Sequence, residues 1–119
     1  MSLQLTADSV ANYGRFISRV QSTGVVWGLK SDDGWAFCPS NESDADVLLF
    51  WSDEAYARRH CKEEWSHYLP TSIPLAQFQA KWLPGMARDG LLIGAQFNAH
   101  LAGLEVNPAK VAADLASGP

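Results

Sequence analysis

The chain opens with apolar residues at Val10, Tyr13, Ile17 and Val20, spaced i, i+3, i+7 and i+10, with Phe16 beside them. That spacing predicts an amphipathic helix with one apolar stripe. Thr6 suits its N-cap, Asp8 its first turn, and Leu5 can staple to Val10; Thr23-Gly24 ends it. The period then changes to two. Val25–Ser31 and Trp35–Pro39 read as strands joined by Asp32-Asp33-Gly34, and after a polar loop Asp46–Trp51 reads as a buried strand.

Ser52 is the expected cap of a second helix, with Ala57, Cys61 and Trp65 at i, i+4 and i+8 on its inner face. Pro70 and Pro74 punctuate the next stretch, leaving Ile73 in a brief edge strand. Leu75, Phe78 and Trp82 predict a third helix, stopped or kinked at Leu83-Pro84-Gly85. Strands over Leu91–Phe97 and about Ala102–Val106 follow, then a helix capped by Asn107 with Pro108 at its first position. The order is α-β-β-β-α-α-β-β-α. Runs of neighbouring strands predict an α+β fold, an antiparallel or mixed sheet of about five strands packed with about four helices.

The first hairpin has two readings, because a slip of one residue turns every side chain over. A two-residue loop at Asp33-Gly34 puts Trp27 and Leu29 on one face with Ala36 and Cys38, and Trp35 and Phe37 on the other. A three-residue loop, Asp32-Asp33-Gly34, places Trp27, Leu29, Trp35 and Phe37 together. The second collects the bulky groups on one face and is the register expected here. In it, Trp27 and Trp35 are cross-strand core partners.

Composition narrows the class. A length of 119 residues suits one domain, 1–119. A 47% apolar and 18% charged chain can bury a core. Five tryptophans make it a core of few, large anchors. Net charge −4 argues against a nucleic-acid partner. No run is long enough to span a bilayer, and the N-terminus carries no basic, apolar leader. Cys38 and Cys61 sit in unlike contexts and read as reduced, buried thiols, which suits the cytoplasm.

Catalytic motifs are lacking: no phosphate-cradling glycine loop, no nucleophile elbow, no H-E-x-x-H and no paired C-x-x-C. Asp44-Ala45-Asp46 lacks the remaining positions of a calcium loop. His60 and Cys61 diverge by about 100° on a helix and do not share a metal easily. No catalytic, cofactor or metal residue is therefore assigned, and an enzyme is not expected. Charge patterning carries more. Seven acids and no base run from Asp32 to Glu54, ahead of Arg58, Arg59 and Lys62. Glu42, Asp44, Asp46 and Trp51 form a candidate surface for a basic protein partner. The alternative is a small-molecule pocket or minor enzyme site using Trp27, Asp33, Trp35 and His60. The chain is expected to be a monomer or homodimer.

"VWGL", "DDGWA", "FWSDEAYA", "WLPGM" followed by "DG", and the closing "VNP" resemble, in that order, a family of short bacterial proteins known only as a domain of unknown function. A shorter series, "DGWAF", "FWSDEAYA" and "NP" before the last helix, is more loosely similar to the N-terminal module of the bacterial enhanced-serine-sensitivity family. Neither resemblance implies a catalytic residue. Together they imply a small cytoplasmic α+β module, an accessory or immunity-type binding protein.

Overall fold

The computed structural model describes residues 3–40, 42–98 and 103–117. Asn41 and Ala102, the latter expected to open a strand, lie outside that set, as does the side chain of Leu5 with its expected staple. The elements run α1 (Leu3–Thr23), β1 (Val25–Ser31), β2 (Gly34–Trp35), β3 (Phe37–Pro39), β4 (Asp46–Phe50), α2 (Glu54–Arg58), β5 (Leu69–Pro74), α3 (Leu75–Gln77), α4 (Leu83–Arg88), β6 (Leu92–Ala95), β7 (Leu104–Val106) and α5 (Pro108–Ala116). The fold is α+β.

Strands align as β2-β1-β5 and β3-β4-β6-β7, antiparallel except for the parallel pair β4–β6. The two groups are stitched together. The Ala36 N–H donates to the Leu29 carbonyl at 2.9 Å, and Trp27 and Trp51 exchange a pair of backbone bonds at 2.8 and 2.7 Å. Side chains alternate cleanly across this surface. Val47, Leu49 and Trp51 enter a smaller core with Leu29, Ala36, Ala57, Trp65 and Phe97. Phe50, Ile93 and Ala95 enter the larger core with Val26, Ile73 and the buried residues of α1, α4 and α5. Both faces of β4 are covered, which is why "VLLFW" reads as a continuous apolar run rather than an alternating one.

The hairpin corrects the expected register. Ser31 pairs with Gly34 and Lys30 with Trp35, leaving Asp32-Asp33 as a two-residue loop. Trp27 therefore packs with the smaller core while Trp35 crosses to the larger one. They are not cross-strand partners. The cause is the space over Gly28: a Cβ there would lie 2.9 Å from the Trp35 ring. Trp35 fills that space and meets Trp82 edge-on, ring centroids 4.8 Å apart.

Other expectations shift as well. α1 begins upstream of Thr6, so Thr6 is not its cap, and Val10 is 55% exposed while Tyr13, Phe16 and Val20 carry the buried stripe. Helix two is a short α2 with Asp53 at its N-cap position; Ser52 donates its hydroxyl to Asp53 instead of capping. Lys62 is extended and Glu63 takes φ +55, so Trp65 reaches the core from a separate 3-10 turn, Glu63–Trp65. The segment around Ile73 is a full six-residue outer strand paired along β1. Pro70 and Pro74 are tolerated there because only one edge of β5 is paired.

Leu83-Pro84-Gly85 does not end the third helix. A π segment, Phe78–Trp82, joins α3 to α4, and the backbone stays helical at both junctions. Pro84 lacks an N–H and would clash with the carbonyl four residues back, and a wider turn just before it relieves that conflict. At the last helix the expectation holds: the Asn107 side chain accepts the Ala109 N–H at 2.8 Å, with Pro108 in the first turn.

Candidate functional site

The site is built where β4 and β6 both run out. Beyond Phe50 and Trp51, Ser52 is buried, and its N–H donates to Gln96 Oε1 at 2.8 Å. Gln96 Nε2 donates back to Ser52 Oγ at 2.9 Å, and that hydroxyl donates to Asp53 Oδ2 at 2.9 Å. Asp53 in turn accepts both prongs of Arg19, at 2.7 and 3.0 Å. The guanidinium beside Asp53 holds its carboxyl below the ordinary carboxylate range. This chain of bonds ties α1, the start of α2 and the end of β6 into one frame.

Gln96 holds φ +59, a left-handed conformation that costs a non-glycine residue on the order of 1 kcal/mol or more. The turn it makes directs Phe97 into the smaller core, where its carbonyl accepts Trp51 Nε1–H at 3.0 Å. It also brings the Asn98 carbonyl to His60. His60 is 6% exposed, tilted by 31° over the Trp51 ring with centroids 4.5 Å apart, with Nδ1 3.0 Å from the Tyr56 carbonyl and Nε2 2.9 Å from that of Asn98. A neutral imidazole donates to one of these carbonyls, whereas the imidazolium donates to both.

Over this frame opens a cleft of about 260 Å³. Asn12 and Arg15 of α1 form one wall; Tyr56, Arg59 and His60 of α2 and its continuation form another; Gln96, Phe97 and Asn98 form the floor. The Arg59 guanidinium lies 4.8 Å over the Tyr56 ring. Arg15 Nη1 donates to Asn12 Oδ1 at 2.5 Å. Among the described residues the arginine and lysine ion pairs are Arg19–Asp53, Arg58–Glu54, Arg88–Asp89 and Lys110–Asp114, and neither Arg15 nor Arg59 belongs to one.

Of the pocket residues expected from sequence, His60 alone lines this cleft. Trp27 and Trp35 serve opposite cores, and Asp33 sits on the exposed hairpin tip, 3.7 Å from His67. Of the expected partner surface, Glu42, Asp44 and Asp46 are exposed, but Trp51 is 1% exposed and contributes no surface. Their loop is braced by Ser40, whose hydroxyl accepts the N–H groups of Glu42 and Ser43 at 3.0 and 3.1 Å. Burial pushes the Cys61 thiol up, away from the thiolate a nucleophile needs. Among the described residues no three His, Cys, Asp or Glu side chains group as metal ligands. No described helix is long and apolar enough to cross a membrane.

Arg15 and Arg59 leave no pattern in the sequence, because one sits on the polar face of α1 and the other at the C-cap of α2, where a basic residue is ordinary. The one sequence signal was the switch from the acid-rich stretch to Arg58-Arg59, which reads as a solvated surface until α1 is seen to face it.

Fold and cleft together define a small α+β module with a cationic recess between its first helix and its sheet. The chain belongs to the family described as "Protein of unknown function (DUF2750)", whose model matches residues 13–115. No curated protein and no solved structure matches it.

Proposed function

We propose that the protein is a non-catalytic module that binds a small molecule in the cleft between α1, α2 and the end of β6. The observation that carries this reading is the rigid frame beneath the cleft. A left-handed Gln96 backbone, held by two buried bonds to Ser52, is kept where it shapes the floor of a concave surface. Strain held in place by buried polar bonds is typical of binding sites. Cys38 and Cys61, neither of which forms a disulfide among the described residues, favour work in the cytoplasm.

A thermal-shift screen of the full chain against a metabolite library tests the reading, since a ligand of the native state raises the melting temperature by mass action. At least one compound should raise it, and the rise should vanish in Asn12→Trp, which fills the cleft from α1. An empty screen, or a rise that survives the filled cleft, defeats the proposal.

A second reading is supported by the exposed carboxylates of Glu42, Asp44 and Asp46: a docking surface for a basic protein. It requires that a partner recovered from the native host be lost on reversing charge at Asp44 and Asp46.

A further inference from the structure

We infer that the ligand of the cleft is a small dianionic oxyanion, a phosphate monoester or a short dicarboxylate, gripped between Arg15 and Arg59. The inference rests on the cleft being a ligand site and names the class of ligand. Charge is the first ground. In a chain of net charge −4, two guanidiniums line one recess, and among the described residues neither has a carboxylate partner. The neighbouring cation, Arg19, is already spent on both oxygens of Asp53. Both side chains are exposed and line the same recess, so an anion seated there is attracted by two cations at once.

Orientation is the second ground. Arg15 is steadied by Asn12 Oδ1, which takes one of its five N–H donors and leaves the others. The Arg59 guanidinium carbon lies 4.8 Å over the Tyr56 ring, a contact with the ring's π-face that consumes no N–H···O hydrogen bond of the fork. Such forks match carboxylate and phosphate oxygens in pairs. One fork satisfies a monocarboxylate. Two forks call for an anion carrying close to two charges. The volume, about 260 Å³, holds a small metabolite but no polymer segment of any length.

The test is an NMR titration of the ¹⁵N-labelled full chain at pH 7.5 and constant ionic strength. The probes are inorganic phosphate, succinate, acetate, chloride and glycerol. Phosphate, succinate or both should shift the amides of Asn12, Arg15, Arg59 and Gln96 and the arginine Nε–H signals in a saturable way. Acetate should bind about tenfold more weakly, as expected from losing one charged hydrogen-bonding pair. Response to phosphate but not succinate assigns a phosphoryl group; the reverse assigns a dicarboxylate. Arg15→Gln and Arg59→Gln should each weaken binding about tenfold and the double variant should abolish it, with the remaining spectrum unchanged.

Shifts that chloride reproduces, or that persist in the double variant, overturn the inference. Glycerol moving these amides while the dianions do not would overturn the anion class and leave the cleft standing as a ligand site. Silence from every probe, with an empty metabolite screen, would remove both.

Discussion

Gln96 shows how much one residue can hold. Its side chain serves the buried Ser52 N–H and Oγ, its backbone bends the chain at φ +59, and its own N–H bonds the Phe50 carbonyl at 2.9 Å. Gln96→Ala leaves the Ser52 N–H without its acceptor inside the protein. It should cost about 2 kcal/mol in urea unfolding, the usual penalty for a buried donor left unmade. Gln96→Gly loses the same bonds but relieves the left-handed backbone, so it should be the milder of the two. Equal losses for both would show that the strain is not real.

Gly28 and Gly94 make the complementary point. A Cβ at Gly94 would sit 2.8 Å from both Leu49 Cδ2 and the Phe97 ring, and one at Gly28 would meet Trp35 at 2.9 Å. Neither ring can swing away, since Trp35 is wedged against Trp82 and Phe97 is buried. Each Gly→Ala change should destabilise by about 1–3 kcal/mol, the range for overpacking a full core. Calorimetric melting measures it.

At the scale of elements, α1 is tied to the rest of the chain by titratable groups at two places. Asp53 accepts Arg19, and Asp114 of α5 accepts the Tyr13 hydroxyl at 2.6 Å and Lys110 at 3.0 Å. Arg19 holds Asp53, and Tyr13 then Lys110 hold Asp114, below the ordinary value of 3.8. A depressed carboxyl contributes stability that is complete above its unfolded value and lost as pH falls through the folded one. Burial, then the bond to Asp114, pushes the Tyr13 hydroxyl above its ordinary 10.0. A raised group contributes in the opposite sense: fully below that value, and progressively less as pH rises past it. The melting temperature should thus be level near neutrality and fall below about pH 4 and above about pH 10. Asp114→Asn should shrink both limbs without removing either, since Asp53 keeps its share of the acid limb and burial of Tyr13 the larger share of the alkaline one; an unchanged profile would mean that other groups carry the dependence. The Asp53 and Asp114 side chains keep 27% and 33% of their surface in contact with solvent, and screening there moderates the amplitude.

Elements also show where periodicity misleads. Ala57, Cys61 and Trp65 have helical spacing and do share one core, yet a helix joins none of them beyond Arg58. Burial chose the three residues, and the extended Lys62 with the positive φ of Glu63 chose the path between them. The reverse holds at Pro84. A local breaker was overridden because the π turn kept Phe78, Leu83 and Met86 in the larger core.

For the whole molecule, the sheet covered on both faces accounts for most of what the chain encodes. Residues that face neither core are free to vary. Asp44 and Asp46 are exposed, and Asp44→Lys with Asp46→Lys should change stability by no more than about 0.5 kcal/mol. The double variant is therefore a clean probe of the protein-partner reading, because loss of a partner could not be blamed on unfolding. Light scattering over a concentration range, run in parallel, separates monomer from homodimer.

Much of this was legible from residues alone. The continuous apolar run "VLLFW", the Asn107-Pro108 cap and the stripe Tyr13–Phe16–Val20 are local signals, each obeyed because local geometry and burial agree there. The α+β class follows from their order. What only tertiary structure decided is whatever depends on two distant segments meeting. Trp35 chose its face by the space above Gly28 together with Trp82, forty-odd positions downstream. The cleft exists because α1 lies beside α2 and the end of β6, which puts Arg15 and Arg59 on facing walls. Hydrophobic burial leaves a periodic trace in the chain. A pair of charges placed in one cleft by three elements leaves none, because each sits on what reads as an ordinary solvated surface.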